Sequence, residues 1–301
     1  MLNDFEIVIV SCVRDWELTV RCVESINTRF SDDLDLQRIN IIWNEPRMHD
    51  DPREFKKMRK RIAHVSGRYP IRYLTEQDID PRLGKLLPGS WYNQQYLKLK
   101  VSEKIDATWY LVLDSKDYWF KRVDTERLFH PDGRARLWVN TVQELKLRAL
   151  LDQSRSLSPH LADLESELHF GYAWLCTRAM WQHHMEPRAR DHVFTRCTTP
   201  YMFHTQTAQQ MNQELEERLG GFYPFLFHTM VPDIVQPIVT EFHLYTNYVN
   251  SLGLVDTLYD TIHKRSGHSD DQVPWLALAK NRTLDGKDAE LPPENNRHLR
   301  P

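Results

Sequence analysis

Two carboxylates and a lysine fall within four residues in Asp114-Ser115-Lys116-Asp117. Paired carboxylates can hold a divalent cation through oxygen or accept a proton, and a lysine among them offers a fixed positive charge to an anionic group. The run before them, Trp109-Tyr110-Leu111-Val112-Leu113, is aromatic, β-branched or leucine throughout and predicts a buried strand. The polar quartet then stands at a strand's carboxyl end, where open α/β sheets bind ligands. The plainer alternative is a charged surface turn.

Three further segments carry groups that could act with it. Pro88-Gly89 makes a turn and Ser90 is a fitting N-cap for a helix on which Gln94, Lys98, Val101 and Ile105 recur on one face, polar at its start and apolar at its end. After Thr199-Pro200, Thr205 or Thr207 caps a second helix running to Leu219 and closed by Gly220-Gly221. That places His204 just before a helix start, where free amides favour a neutral histidine or a bound phosphate. Thr240 is the natural N-cap of a third helix, with His243 at N3, Glu241 in the first turn and Tyr245 one turn further on the same face. A carboxylate at the positive end of the helix dipole is expected to stay ionised, which suits a base and equally suits plain helix stabilisation.

These pieces need a scaffold. Phe5–Val10 predicts a first strand with no leader before it, Ser11–Asp15 break it, and Trp16–Phe30 predict a helix with Leu18, Cys22, Ile26 and Phe30 on one face. Ile39–Trp43 predict the next strand, ending at Asn44-Glu45-Pro46, and this strand–helix–strand pattern favours parallel pairing. Ser11–Asp15 contain no glycine, so a glycine-rich phosphate loop is excluded there. Residues 48–66 are strongly basic, with Phe55, Met58 and Ile62 on one face; a solvated amphipathic helix is expected, and peripheral contact with anionic lipid or a lipid-linked pyrophosphate is the alternative. Ile71–Leu74 predict a third strand, Glu76–Pro88 a long loop and Arg134–Val139 a further strand. A basic helix over Val142–Leu151 and a domain boundary near 140–160 are expected, a continuous single domain fitting as well. Phe222–Phe227 read as core or acceptor wall, and His183, His184 and His192 match no metal motif.

Composition narrows the classes. A chain of 301 residues can bury a large core, and a net charge of -3 with pI near 6.5 argues against nucleic acid as a partner. Nine tryptophans and twelve tyrosines suit ring-stacking on a sugar or base as well as core packing. Cysteines 12, 22, 176 and 197 lack metal spacing, and with no long apolar run the expectation is a reduced, cytoplasmic protein.

Five segments taken together resemble the GT-A type nucleotide-sugar glycosyltransferases, in particular bacterial enzymes of polysaccharide or lipopolysaccharide synthesis: Ser11–Asp15, Asn93–Leu99, Leu113–Asp117, Thr199–Thr205 and Thr240–Tyr245, in that order. The resemblance implies an α/β, Rossmann-like, mostly parallel sheet flanked by helices, with residues 1–140 binding the nucleotide-sugar donor, 141–280 forming a continuous acceptor-binding and catalytic region, and 281–301 a peripheral tail. It places Ser11, Arg14, Asp15, Asn44, Gln94, Gln95, Lys98 and Asp114 on the donor, and His243 and Tyr245 on a saccharide or lipid-linked saccharide acceptor. Catalysis would fall to Glu241 as base, with inversion, and to Lys116 and His204 on the leaving diphosphate. Lys116 stands where the second acid of the D-x-D signature is expected. Either Asp117 replaces that acid and joins Asp114 on a Mn or Mg ion, or Asp114 alone helps hold the ion, or Lys116 neutralises the diphosphate directly. The site of action would be the cytoplasm, at the inner face of the cell membrane, with the oligomeric state left open. A nucleotidyltransferase or metal-dependent phosphohydrolase, and a catalytically silent sugar-binding protein, are the rival classes.

Overall fold

Phe5–Ser11 form β1, seven consecutive residues buried on both faces, as expected of a central parallel strand. A single 3-10 turn, Val13–Asp15, leads into helix α1, Trp16–Arg29. Strand β2 is Leu36–Trp43, helix α2 Pro52–Val65 and strand β3 Ile71–Thr75. Helix α3, Trp91–Lys100, precedes β4, Trp109–Asp114, and β5, Asp117–Trp119. Then come β6, Ala135–Asn140, β7, Phe194–Thr195, and β8, Tyr201–His204. Helices α4, Thr205–Leu219, and α5, Glu241–Ser251, are followed by β9, Tyr259–His263, and β10, Leu276–Leu278. The structure, a computed structural model, describes residues 3–44, 52–83, 91–140, 177, 194–195, 199–222, 239–263 and 276–278. The expected cap at Ser90, the helix over Val142–Leu151, the boundary near 140–160, the three clustered histidines, most of Phe222–Phe227 and the tail lie outside those residues.

The central sheet has five strands in the order β3-β2-β1-β4-β8, the first four parallel and β8 antiparallel to β4. This is a mixed α/β fold with a mostly parallel central sheet flanked by helices, compatible with a Rossmann-like arrangement. Among the described residues two small sheets accompany it, β7-β6-β9 and the antiparallel pair β10-β5. Among the described residues no helix is long and apolar enough to cross a membrane.

Burial explains the element boundaries. On α1 the buried stripe is Thr19, Val20, Cys22, Val23, Ser25 and Ile26, wider than the single row predicted, and Leu18 lies at its edge. On α2 the predicted face is the buried one, with Met58 and Ile62 enclosed. Helix α3 differs from its predicted two-toned face: Asn93, Gln95 and Lys98 are as buried as Leu97 and Leu99. The predicted loop after β3 begins instead with one helical turn, Glu76–Ile79, because Thr75 and Asp78 form a capping box. At α4 the N-cap is His204 rather than Thr205 or Thr207, with no side-chain cap bond, while Gly220 closes the helix at φ 74. Thr240 caps α5 as predicted, its Oγ1 accepting the His243 N–H at 3.2 Å.

Candidate active site

Chain order reverses between β1 and β4: β2 and β3 lie to one side of β1, and β4 lies to the other. The crevice at the carboxyl ends of such a pair is the usual ligand position in open α/β sheets. Val10 pairs with Asp114, so Ser11 and Asp114 end adjacent strands at the same level. The loop after β1 is pinned to α1, Ser11 Oγ lying 2.6 Å from Thr19 Oγ1, which also donates to the Asp15 carbonyl at 3.1 Å. Across the crevice Ser115 Oγ donates to Asp15 Oδ2 at 3.4 Å. From β2, the Asn44 N–H donates to the Ser11 carbonyl at 2.8 Å. Ser11, Asp15, Asn44 and Asp114 thus share one edge, and Arg14 is exposed beside them.

The centre of the site is a buried lysine. Lys98 Nζ lies 3.0 Å from Asp114 Oδ1 and 2.9 Å from Glu241 Oε1, and its side chain is 5% exposed. Gln95, one turn earlier on α3, packs against Glu241, its Oε1 accepting the Glu241 backbone N–H at 3.3 Å. The Phe242 ring lies 5.2 Å from the ammonium. The end of α3 is itself held: Asn212 on α4 donates to the Leu99 carbonyl at 3.0 Å and Ser102 Oγ at 3.1 Å. That satisfies a carbonyl which the helix end would otherwise leave open. The Lys98–Glu241 pair spans 143 positions, and a lysine between Leu97 and Leu99 was its only sequence signal.

Charges set the protonation of this cluster. Burial by itself would depress the Lys98 ammonium, but Asp114 and Glu241 reverse that and hold it raised. Burial likewise pushes Asp114 up, and Lys98 and Lys116 overcome it, leaving the carboxyl below its usual range. Glu241 goes the other way: burial raises it despite Lys98. The expectation of an ordinarily ionised first-turn carboxylate therefore underrated desolvation. Asp117 is pushed up to about 7, first by burial and then by the neighbouring Asp114 charge.

The Asp114-to-Asp117 turn does not assemble a set of metal ligands. Asp117 is 1% exposed and its Oδ2 accepts the Asp114 N–H at 2.9 Å. Asp114 Oδ1 faces Lys98, and Lys116 Nζ stands 3.8 Å from Asp114 Oδ2. Among the described residues no group of three or more His, Cys, Asp and Glu could hold an ion. A divalent cation here would rest on Asp114 with water and the donor's own phosphate oxygens, and the same edge supplies a half-exposed ammonium, Lys116.

Several expected site residues stand elsewhere. His204 pairs with Trp109 at the amino end of β4, five residues from Asp114 and roughly 16 Å along the strand at ~3.3 Å per residue. Its Nδ1 lies 2.8 Å from Thr207 Oγ1, its ring stands edge-on to Trp109 at 5.0 Å, and burial lowers its pKa. It therefore belongs to the far end of the sheet and not to the leaving group. Tyr245 is fully buried, its hydroxyl accepting from the His204 N–H at 3.0 Å and from the Tyr259 hydroxyl at 2.9 Å. His243 is also fully buried. Neither side chain presents a surface to an acceptor. Glu241 is fully buried against Lys98 and Gln95, out of reach of an acceptor hydroxyl, which removes the base role expected of it. Gln94 is half-buried on α3.

A family model described as "Family of unknown function (DUF6492)" matches residues 23–285, and the chain belongs to that family. No curated protein matches it.

Proposed function

We propose that this DUF6492 protein is a glycosyltransferase of the GT-A type, moving a sugar from a nucleoside diphosphate to a hydroxyl of a glycan or lipid-linked saccharide. The observation that carries the reading is Asp114: a carboxylate one-third exposed, oriented by buried Lys98, at the carboxyl end of a central strand where chain order reverses. The antiparallel β8 beside β4 and the ordered motifs of the sequence support the same reading.

In the reaction the acceptor oxygen bonds to the anomeric carbon, the bond from that carbon to the diphosphate breaks with its electron pair, and the hydroxyl gives its proton to solvent water at the open crevice. Negative charge grows on the diphosphate, and Lys116, half-exposed at the crevice, is the cation aimed at it. Asp114 accepts a hydrogen bond from a donor hydroxyl through its solvent-facing oxygen. Glu241 and Gln95 act one step back, fixing Lys98, which fixes Asp114; in this reading Glu241 is a positioning residue.

The test begins with thermal stabilisation of the protein by nucleoside-diphosphate sugars, followed by acceptor-dependent release of nucleoside diphosphate. Asp114→Asn is expected to lower that release about a hundredfold or more, the scale of losing one aimed electrostatic contact, while melting within a few degrees of wild type. Pyrophosphate release from a nucleoside triphosphate would replace this reading with nucleotidyl transfer. Wild-type turnover in the Asp114→Asn protein would remove Asp114 from the site.

A further inference from the structure

The nine residues from Arg53 to Arg61 contain six cations, Arg53, Lys56, Lys57, Arg59, Lys60 and Arg61, against one acid, Glu54, in a chain whose net charge is -3. All six are exposed. Helical spacing sorts them into two groups, because α2 has already committed Met58 and Ile62 to the core. Arg59 and Arg61 lie on the two flanks. Arg59 covers the Tyr73 ring at 4.5 Å and Phe55 at 5.5 Å, and Arg61 covers Trp16 at 5.2 Å and pairs with Glu17 at 2.7 Å. Arg53, Lys56, Lys57 and Lys60 recur at three- and four-residue intervals on the outward side, opposite the buried row. Like charges at that spacing repel one another, and an apposed anionic surface relieves the repulsion.

From this arrangement we infer that the outer face of α2 docks the protein on an anionic lipid bilayer by electrostatics, without insertion. The patch is a single helix face about 10 Å long at ~1.5 Å per residue, suited to a plane that touches one side of the molecule. Its large apolar residues Met58 and Ile62 are buried and Phe55 is half-buried under Arg59, so no large side chain on the outer face enters the hydrocarbon. A single-stranded nucleic acid fits less well: stacking requires open aromatic faces, and the rings near this helix lie under Arg59 and Arg61. Helix α2 follows β2, whose carboxyl end holds Asn44 beside Ser11, so the bilayer would lie alongside the crevice. This inference stands whatever the crevice catalyses.

The experiment is co-sedimentation of the full chain with vesicles of phosphatidylcholine alone and with about one-third phosphatidylglycerol, near 0.1 M and near 1 M salt, between which the screening length falls from about 10 to 3 Å. Binding is expected only to the anionic vesicles at the lower salt, and free glycerol phosphate should not displace the protein. The triple variant Lys56→Gln, Lys57→Gln, Lys60→Gln should weaken partitioning roughly a hundredfold, about fivefold per lysine. Its melting curve should match wild type, and Lys121→Gln, a cation away from this helix, should partition as wild type does. Equal binding to both vesicle types, no binding to either, or an unchanged triple variant would overturn the inference. So would tight binding of a single-stranded oligonucleotide by a protein that ignores the vesicles.

Discussion

The two ends of the central sheet each bury a carboxylate among cations, and they finish the job differently. At the amino end Glu6, fully buried on β1, has every direction filled: Oε2 accepts from Asn40 at 2.8 Å and Arg72 at 3.3 Å, with Arg38 at 3.5 Å, and Oε1 accepts the Asp106 N–H at 3.0 Å. Asn40 in turn accepts from Arg72 at 2.6 Å. At the carboxyl end Lys98 is just as enclosed, but Asp114 keeps one oxygen toward solvent with Lys116 beside it. A closed network ties strands together; an open one has capacity left for a ligand. The comparison teaches that burial of charge alone does not mark a site, whereas burial with one group left facing out does.

The largest effect that can break this contrast is at Lys98. Lys98→Met leaves the buried Glu241 carboxylate facing Asp114 with no cation between them and is expected to cost about 3–5 kcal/mol in denaturant unfolding, the usual result of stripping one partner from a buried charge cluster. Arg72→Met should cost only about 1 kcal/mol, since Arg38, Asn40 and a backbone N–H still serve Glu6. Equal losses would mean that the two ends are built alike.

A smaller effect concerns pH. The folded Asp117 carboxyl sits at about 7, above its ordinary 3.8, so the folded state holds that proton more tightly. Its contribution to stability is therefore fully present below about pH 4 and lost as pH rises through about 7. Asp117→Asn keeps an oxygen for the Asp114 N–H but cannot ionise, and should gain on wild type by on the order of 2–3 kcal/mol between about pH 5 and 8. A difference that does not change with pH would show that Asp117 does not titrate in this range. Asp114, held low, acts in the opposite sense, its contribution being lost as pH falls below the normal carboxylate range.

The smallest expected effect is at the far end. His204→Gln should leave turnover within about twofold of wild type while lowering the melting temperature by a few degrees, as loss of a half-buried ring contact does. A large loss of turnover with unchanged melting would return His204 to the chemistry and undo the separation of the two ends.

Periodicity and residue type by themselves determined the strands β1 to β4, the faces of α1 and α2, the Thr240 cap and the position of Asp114 at a strand end, because each depends on neighbours within about one turn or one strand. The charged turn and the early loop were visible for the same reason. What only the tertiary structure decided is which distant groups meet. Lys98 reaches Glu241 because α3 and α5 pack together beside β4, and no local spacing encodes a contact across 143 positions. His204 and Asp114 lie apart because β8 runs antiparallel to β4, a choice of strand direction that leaves no mark within either segment. The same packing buries Glu241 and moves its carboxyl upward, so that the residue whose type most resembled a base holds a lysine in place instead.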